Sequence, residues 1–167
     1  MWLVRNERYS DHVAIAELAR RAFASMTFSD HTEQDMIDRL RRRGRLSLSK
    51  VVEHEGLLVG YVAFSKMLYN KLEANWYALG PIAVEPAHQR KGIGAALIKA
   101  CIDELSRGSA EGIALVGDPV YYSRFGFVVS PAHAPKGEPA EYFQLLALKG
   151  RVPQRALVFD SAFYDEI

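Results

Sequence analysis

The chemistry of this chain is easiest to see at Gln89-Arg90-Lys91-Gly92-Ile93-Gly94-Ala95. Two glycines stand one residue apart beside side-chain donors and cations. They follow an apolar stretch, Ile82-Ala83-Val84, that stops at Pro86. A helical pattern begins at once, with Ile93, Leu97, Ile98, Cys101, Ile102 and Leu105 on one side. Strand, glycine loop and helix in that order expose backbone N–H groups at the positive end of a helix dipole. Such a place suits an anion, above all a phosphate. Glycine has no β-carbon, so at Gly92 and Gly94 the backbone can approach a bulky group closely. A turn without a ligand is the plain alternative. No Gly-Lys-Ser/Thr follows, which excludes a P-loop, and Leu97 stands where a dinucleotide fingerprint needs its third glycine.

Composition narrows the field. Hydrophobic residues make up 49% of 167, enough for a core of one domain spanning 1–167, and the net charge of +1 argues neither for nor against a charged partner. Cys101 is the only cysteine and lies on the apolar helix side, so it reads as a small buried hydrophobe rather than a nucleophile. The five histidines show no metal-ligand spacing, and no metal is expected. The first residues turn polar too soon for a signal peptide, and no run approaches the ~20 apolar residues of a membrane span. A cytoplasmic protein without a membrane partner is expected.

The elements that must position the loop follow from periodicity. Leu3-Val4-Arg5 reads as a short strand. Ser10 is placed to cap a helix running to about Ala24, with Ile15, Leu18, Ala19, Ala22 and Phe23 inward. Thr32 with Asp35 resembles a capping box for a second helix ending at Gly44. Arg39, Arg41, Arg42, Arg43 and Arg45 gather at that end; they read as a solvated helix terminus, with an acidic contact as the alternative and no case for nucleic acid. From Leu46 the period becomes two. A hairpin follows with its turn at His54-Glu55-Gly56, then a loop over Lys71–Asn75 and a strand from Trp76 to Val84. Gly108 is placed to end the next helix. Ile113–Val116 is a wholly apolar strand, Val120–Phe125 about one or two helical turns, Phe127–Val129 a strand, and Tyr142–Leu148 a last clear strand. Ala156–Phe159 reads as one more strand, with Phe163-Tyr164 sealing an edge. The result is a mixed α/β chain.

A second signature makes the first specific. Tyr122-Ser123-Arg124-Phe125-Gly126-Phe127 resembles the Tyr-x-x-x-Gly-Phe of the GNAT superfamily of N-acetyltransferases, and Gln89-x-x-Gly92-x-Gly94 resembles its pyrophosphate loop. The two stand in the right order, one helix and one strand apart. The longer Gly117-Asp118-Pro119-x-Tyr121-Tyr122-x-Arg124-Phe125-Gly126-Phe127 resembles a bacterial branch of predicted acetyltransferases. The resemblance implies a central, mostly antiparallel twisted sheet of about six or seven strands, flanked by about four helices. It implies acetyl-CoA as the acetyl donor.

The resemblance also places residues. Ile82, Ala83 and Val84 would pair through their backbone with the pantetheine arm. Gln89, Arg90, Lys91, Gly92, Ile93, Gly94 and Ala95 would hold the pyrophosphate. Asp118 and Arg124 are further cofactor candidates; Asp118 stands where many relatives have Asn. Tyr122 would sit beside the thioester sulfur. A phenol of pKa about 10 can donate to a thiolate whose thiol has a pKa of about 8.5. Trp76–Gly80 offers no carboxylate, so the base that takes the amine's proton is open. Glu85 and His88 border the loop, Glu73 precedes the strand and Glu33 begins the second helix, with Glu33 and Glu85 the favoured pair and His31 as a relay beside Glu33. Phe28, His31, Glu33, Tyr69, Trp76 and Tyr77 would frame a pocket for a small-molecule or peptide amine. The alternative is a silent acyl-CoA-binding or interaction module of the same fold. Exposed apolar residues near the C-terminus permit a homodimer.

Overall fold

A computed structural model describes residues 2–27 and 29–164. The strands are β1 (Val4–Asn6), β2 (Leu46–His54), β3 (Leu57–Tyr69), β4 (Leu72–Val84), β5 (Gly112–Val116), β6 (Val128–Val129) and β7 (Phe143–Ala147). The helices are α1 (His12–Phe23), α2 (Glu33–Arg42), α3 (Ile93–Ser106) and α4 (Pro119–Tyr122). The strands form one sheet in the order β1-β2-β3-β4-β5-β7-β6. Only the β4–β5 pair is parallel. The mixed α/β architecture that the periodicities predict is present, and so is the mostly antiparallel sheet that the resemblance implies.

Alternation along β3 builds both faces. Val62 and Phe64 pack toward α3, together with Ile93, Leu97, Ile98 and Cys101. Tyr61 and Ala63 pack toward α1 and α2, against Ile15, Leu18 and Ile37. Met67 continues that second face and meets Trp76, Ala114, Phe143, Leu157 and Phe159. So α1 and α2 cover one part of this face, and the C-terminal segment covers another.

Several local expectations are corrected. Ser10 does not cap α1; it lies in a 3-10 turn, Tyr9–Asp11, whose Asp11 carboxylate takes the Arg8 N–H at 2.7 Å and ion-pairs with Arg5. Thr32 forms no capping box with Asp35, because its N–H and hydroxyl both donate to Asp30 Oδ1. Lys71–Asn75 is not a loop. Asn70 and Lys71 take left-handed φ values of 52° and 68°, a two-residue turn, and the hairpin runs on as β4. Leu72 and Glu73 are exposed there, which is why their pattern reads as loop. Gly108, by contrast, ends α3 as expected: it lies one residue past the C-cap, Arg107, and its N–H donates to the Leu105 carbonyl. Ala156–Phe159 makes one bridge, Val158 to Leu68, rather than a strand.

The basic cluster is a solvated end only at Arg42 and Arg43, which stay exposed; Arg39, Arg41 and Arg45 are drawn into contacts with the rest of the chain. Arg41 donates to Glu7, Arg42 pairs with Asp38, Arg43 donates to Ser161, Arg45 pairs with Asp160, and Arg39 donates to the Ala162 carbonyl. Cys101 is fully buried, and burial pushes its thiol up to about 12. Among the described residues no helix is long and apolar enough to cross a membrane.

Gly60 on β3 sets how closely α3 can lie. A β-carbon there would stand 2.4 Å from Ile93 Cγ2 and 3.1 Å from Leu97 Cδ1. Overfilling a packed core typically costs about 1–3 kcal/mol. Gly60→Ala is expected to lose that much stability in urea denaturation; an unchanged midpoint would mean that α3 has room to shift.

Candidate active site

The site begins where β4 leaves β5. β4 pairs with β5 only over Trp76–Ala78 against Gly112–Ala114. On its other edge β4 stays with β3, but three steps from Leu79 to Ile82 answer two from Phe64 to Val62. One extra residue is therefore held at Gly80-Pro81, a bulge, and bulges bend a strand. The bulge also shifts side-chain parity. Tyr77 and Leu79 face α3 before it, and Ile82 and Val84 face α3 after it. Beyond Ala78 the edge of β4 that faces β5 has no ladder partner among the described residues.

α3 starts at the mouth of this opening. Gly92 is its N-cap, with φ 86°, and Arg90 takes φ 63°. No side chain caps the helix, and Ala96 is the first amide bonded back, to Gly92 O at 3.0 Å. The amides of Ile93, Gly94 and Ala95 therefore point out at the positive helix end. A β-carbon on Gly94 would lie 3.2 Å from the Tyr121 hydroxyl and 3.8 Å from Val84, so bare backbone lines this wall. The loop is braced from behind. Trp2 Nε1 donates to Lys91 O at 2.7 Å, and its indole meets His54 and His88 edge-on, at 5.3 and 6.4 Å between ring centres.

The opposite wall comes from the end of β5. The Asp118 carboxylate accepts from Val120 N at 2.9 Å and caps α4. Gln144 Nε2 holds the Gly117 carbonyl at 2.8 Å. The Tyr122 ring lies against Gly117, where a β-carbon would be 2.6 Å from Cε2, and packs edge-on against Tyr121 and Phe127. The Tyr122 hydroxyl has no hydrogen-bond partner among the described residues. Burial, then the nearby Tyr121 and Asp118, push its pKa up to about 12, so it is a phenol at neutral pH.

These walls enclose a cavity of about 710 Å³. Of the residues expected from sequence, Ile82, Val84, Gln89, Gly94, Asp118, Tyr122 and Glu33 line it. Ala83 turns its methyl to the core under α1. Gly92, Ile93 and Ala95 form the start of α3 beside the cavity but, like the exposed Arg90 and Lys91, do not line it, and the Ile93 side chain is buried in the core. Arg124 stays outside, stacked 4.4 Å over the Tyr121 ring. Glu85 is turned to α1, bonded to Arg21 at 2.7 Å, and does not line the cavity.

The expected acceptor residues scatter. His31 is exposed and outside the cavity. Tyr69 and Trp76 line a separate hollow of about 440 Å³ with Arg151 and Arg155. Tyr77 lies on the α3 face because of its parity in β4. Phe28 lies outside the described residues. In their place stand Phe23, Met26, Met36, Glu138, Phe159 and Phe163, with Tyr121 beside Tyr122. Tyr121 adjoins the recognised motif and could have been found from it; the others come from segments far apart in the chain.

The profile of the Acetyltransferase (GNAT) family matches residues 12–134. The chain belongs to the GNAT family of acetyltransferases. The uncharacterised N-acetyltransferase YhbS of Escherichia coli K12 is 33% identical over 132 residues, 78% of this chain and 76% of that protein. A GNAT family acetyltransferase from Brucella melitensis, solved in complex with acetyl-CoA, superposes with a TM-score of 0.86 at 36% identity, covering 98% of each chain. The E. coli YhbS structure, solved with CoA, gives 0.84 at 27% identity, over 99% of this chain and 93% of its own. This GNAT protein is an acyltransferase with the fold its two motifs imply.

The raised Tyr122 pKa has a consequence for stability. The unfolded value is about 10. A group whose native pKa lies higher favours the native state below pH 10 and loses that advantage as pH climbs toward 12. Urea denaturation between pH 9 and 11.5 should show stability falling, and Tyr122→Phe should make the part above pH 10 shallower, leaving the slope that the raised Tyr61, Tyr121, Tyr164 and Cys101 contribute. The same slope in both proteins would place the native phenol at its ordinary value.

Proposed function

We propose that this protein transfers the acetyl group of acetyl-CoA to a primary amine of a small molecule or peptide, with Tyr122 as general acid. One observation carries the reading. Gly94 in the uncapped first turn of α3, the unpaired edge of β4 at Ile82 and Val84, and Tyr122 all line one cavity. The residues fit the ligand that the Brucella and YhbS structures hold. Amides of Ile93, Gly94 and Ala95 suit a diphosphate. The open edge of β4 at Ile82–Val84 suits an extended amide-bearing arm, as a sheet edge accepts a strand.

Acetyl-CoA supplies an acetyl thioester, whose C–S bond breaks as a C–N bond to the amine forms. A β4 N–H near Val84 stabilises the oxyanion. Tyr122 gives its proton to the departing sulfur. The amine is mostly protonated at neutral pH, near a pKa of about 10 for an alkylammonium such as lysine. Glu33 takes its proton, being the one of the two carboxylates expected as base that lines the cavity. From ammonium to amide the nitrogen loses two protons. The first passes through Glu33 to solvent. The second, lost once the C–N bond has formed, returns through water to Tyr122 and replaces the proton given to sulfur. Glu85, tied to Arg21, has no part in this.

Removing a general acid typically lowers rate ~10²–10⁴-fold. Tyr122→Phe should keep affinity for CoA and lose at least about tenfold in thiol release with acetyl-CoA and an amine. Equal loss of affinity and turnover would make the ring a packing element. Backbone amides 89–95 should shift on titration with CoA. The pair Arg90→Glu with Lys91→Glu should weaken CoA only partly, since the backbone donors remain; unchanged affinity would show that those side chains point away.

A further inference from the structure

The C-terminal segment is built into the same cavity. Leu157 and Phe159 are buried on the sheet face that α1 and α2 leave open, and Val158 between them exchanges two backbone bonds of 2.8 Å with Leu68. Asp160 then caps the 3-10 turn Ser161–Phe163 through Ala162 N at 2.9 Å. Arginines around the end of α2 grip that turn. Arg39, 6% exposed, donates from Nε and Nη2 to the Ala162 carbonyl at 3.0 and 2.9 Å. Arg45 Nε meets Asp160 at 2.6 Å. A buried guanidinium needs such bonds to offset its desolvation. The result is that Phe159 and Phe163 stack at 5.2 Å between ring centres and 12° between planes, and both face the cavity that holds Tyr122.

Across from them stand Phe23, Met26 and Met36, all apolar. Two carboxylates interrupt this wall. The Tyr164 hydroxyl donates to Glu138 Oε1 at 2.6 Å. Ser29 Oγ donates to Glu33 Oε2 at 2.5 Å, while Glu33 Oε1 is buried and has no hydrogen-bond partner among the described residues. Buried oxygens of this kind are nearly always hydrogen-bonded in finished sites, so a donor belongs there. An ammonium has three donors and no acceptor, which matches a carboxylate oxygen in an apolar surround.

We propose that the acceptor is a primary amine with an apolar alkyl or aryl body, held between Phe159 and Phe163 of the C-terminal segment and Phe23, Met26 and Met36, with its nitrogen read by Glu33 Oε1. This rests on the acetyl-transfer reading above and adds the acceptor class. Arg39 is a positioning residue: it touches no acceptor and acts by fixing the turn that carries Phe163.

The test is thiol release from acetyl-CoA by the full chain with graded primary amines: ethanolamine, propylamine, hexylamine and phenethylamine. Burying one methylene is worth a factor of about four, so kcat/KM should climb about three- to fivefold per added methylene until the pocket is full. Phenethylamine should exceed ethanolamine by at least about a hundredfold. Phe163→Ala should cut that ratio at least tenfold, mainly through KM for phenethylamine, while KM for acetyl-CoA moves less than twofold. Arg39→Lys should lower the ratio in the same direction with a native circular-dichroism spectrum. Should Phe163→Ala misfold, Phe163→Leu reads the same ratio at smaller change. A flat series, or preference for ethanolamine, overturns the acceptor class and leaves acetyl transfer standing. No thiol release with any amine overturns the transfer reading and this inference with it.

Discussion

The parting of β4 from β5 after three paired residues governs the site. Two parallel strands that stayed paired to their ends would leave no unsatisfied edge. Here one extra residue at Gly80-Pro81 keeps β4 on β3 while bending it off β5. Pro81 suits that position, because it has no N–H to lose. The same residue corrects side-chain parity, so Ile82 and Val84 still reach the core under α3 and Ala83 that under α1. The core is thus closed on both faces while the backbone between them stands open. Open backbone groups near a buried cavity call for a partner, and an extended amide-bearing arm supplies the donors and acceptors of a missing strand.

An uncapped helix start is tolerable for a reason of magnitude. A good N-cap is worth about 1 kcal/mol. Burying one large aliphatic side chain is worth about 1.5–3 kcal/mol. α3 buries Ile93, Leu97, Ile98, Cys101 and Leu105. Even after the loss of chain entropy, the buried side of α3 outweighs a missing cap, so its first amides can be kept for a ligand. Trp2 and the rings of His54 and His88 hold the loop without touching those amides: the indole bonds the Lys91 carbonyl, which points the other way along the chain.

The parts of the site that were legible in the sequence are those made within one stretch of chain. Gly92, Gly94 and Tyr122 sit in short segments whose conformation is local, and their residue types announce it. Glycine at a left-handed N-cap and a tyrosine four residues before a glycine are such cases. Ala83 and Tyr77 show where local reading fails. Their faces depend on a one-residue bulge at Gly80-Pro81 that alternation alone does not reveal. Glu85 fails differently: adjacency to the loop in sequence does not place its carboxylate in the cavity, because Arg21 draws it toward α1. Lys71–Asn75 looks like loop because a hairpin that runs beyond its core carries polar and exposed residues on both faces.

The acceptor side was illegible for a different reason, and the family match marks the boundary. The profile covers residues 12–134, which contain the glycine loop, β4, β5 and Tyr122. Glu138, Phe159 and Phe163 lie beyond it, yet they line the same cavity. The segment that carries Phe159 and Phe163 is held there by contacts that span more than a hundred residues, such as Arg39 to Ala162 and Arg45 to Asp160. A run of arginines at 39–45 reads as a charged helix end when its partners are unseen. With the partners seen, Arg39, Arg43 and Arg45 secure a segment whose own strand-like alternation, Leu157 and Phe159, needs only one bridge to lie flat. The chemistry common to the family is therefore carried by local sequence within the matched span. The amine selectivity proposed above rests on a wall that residues beyond that span complete.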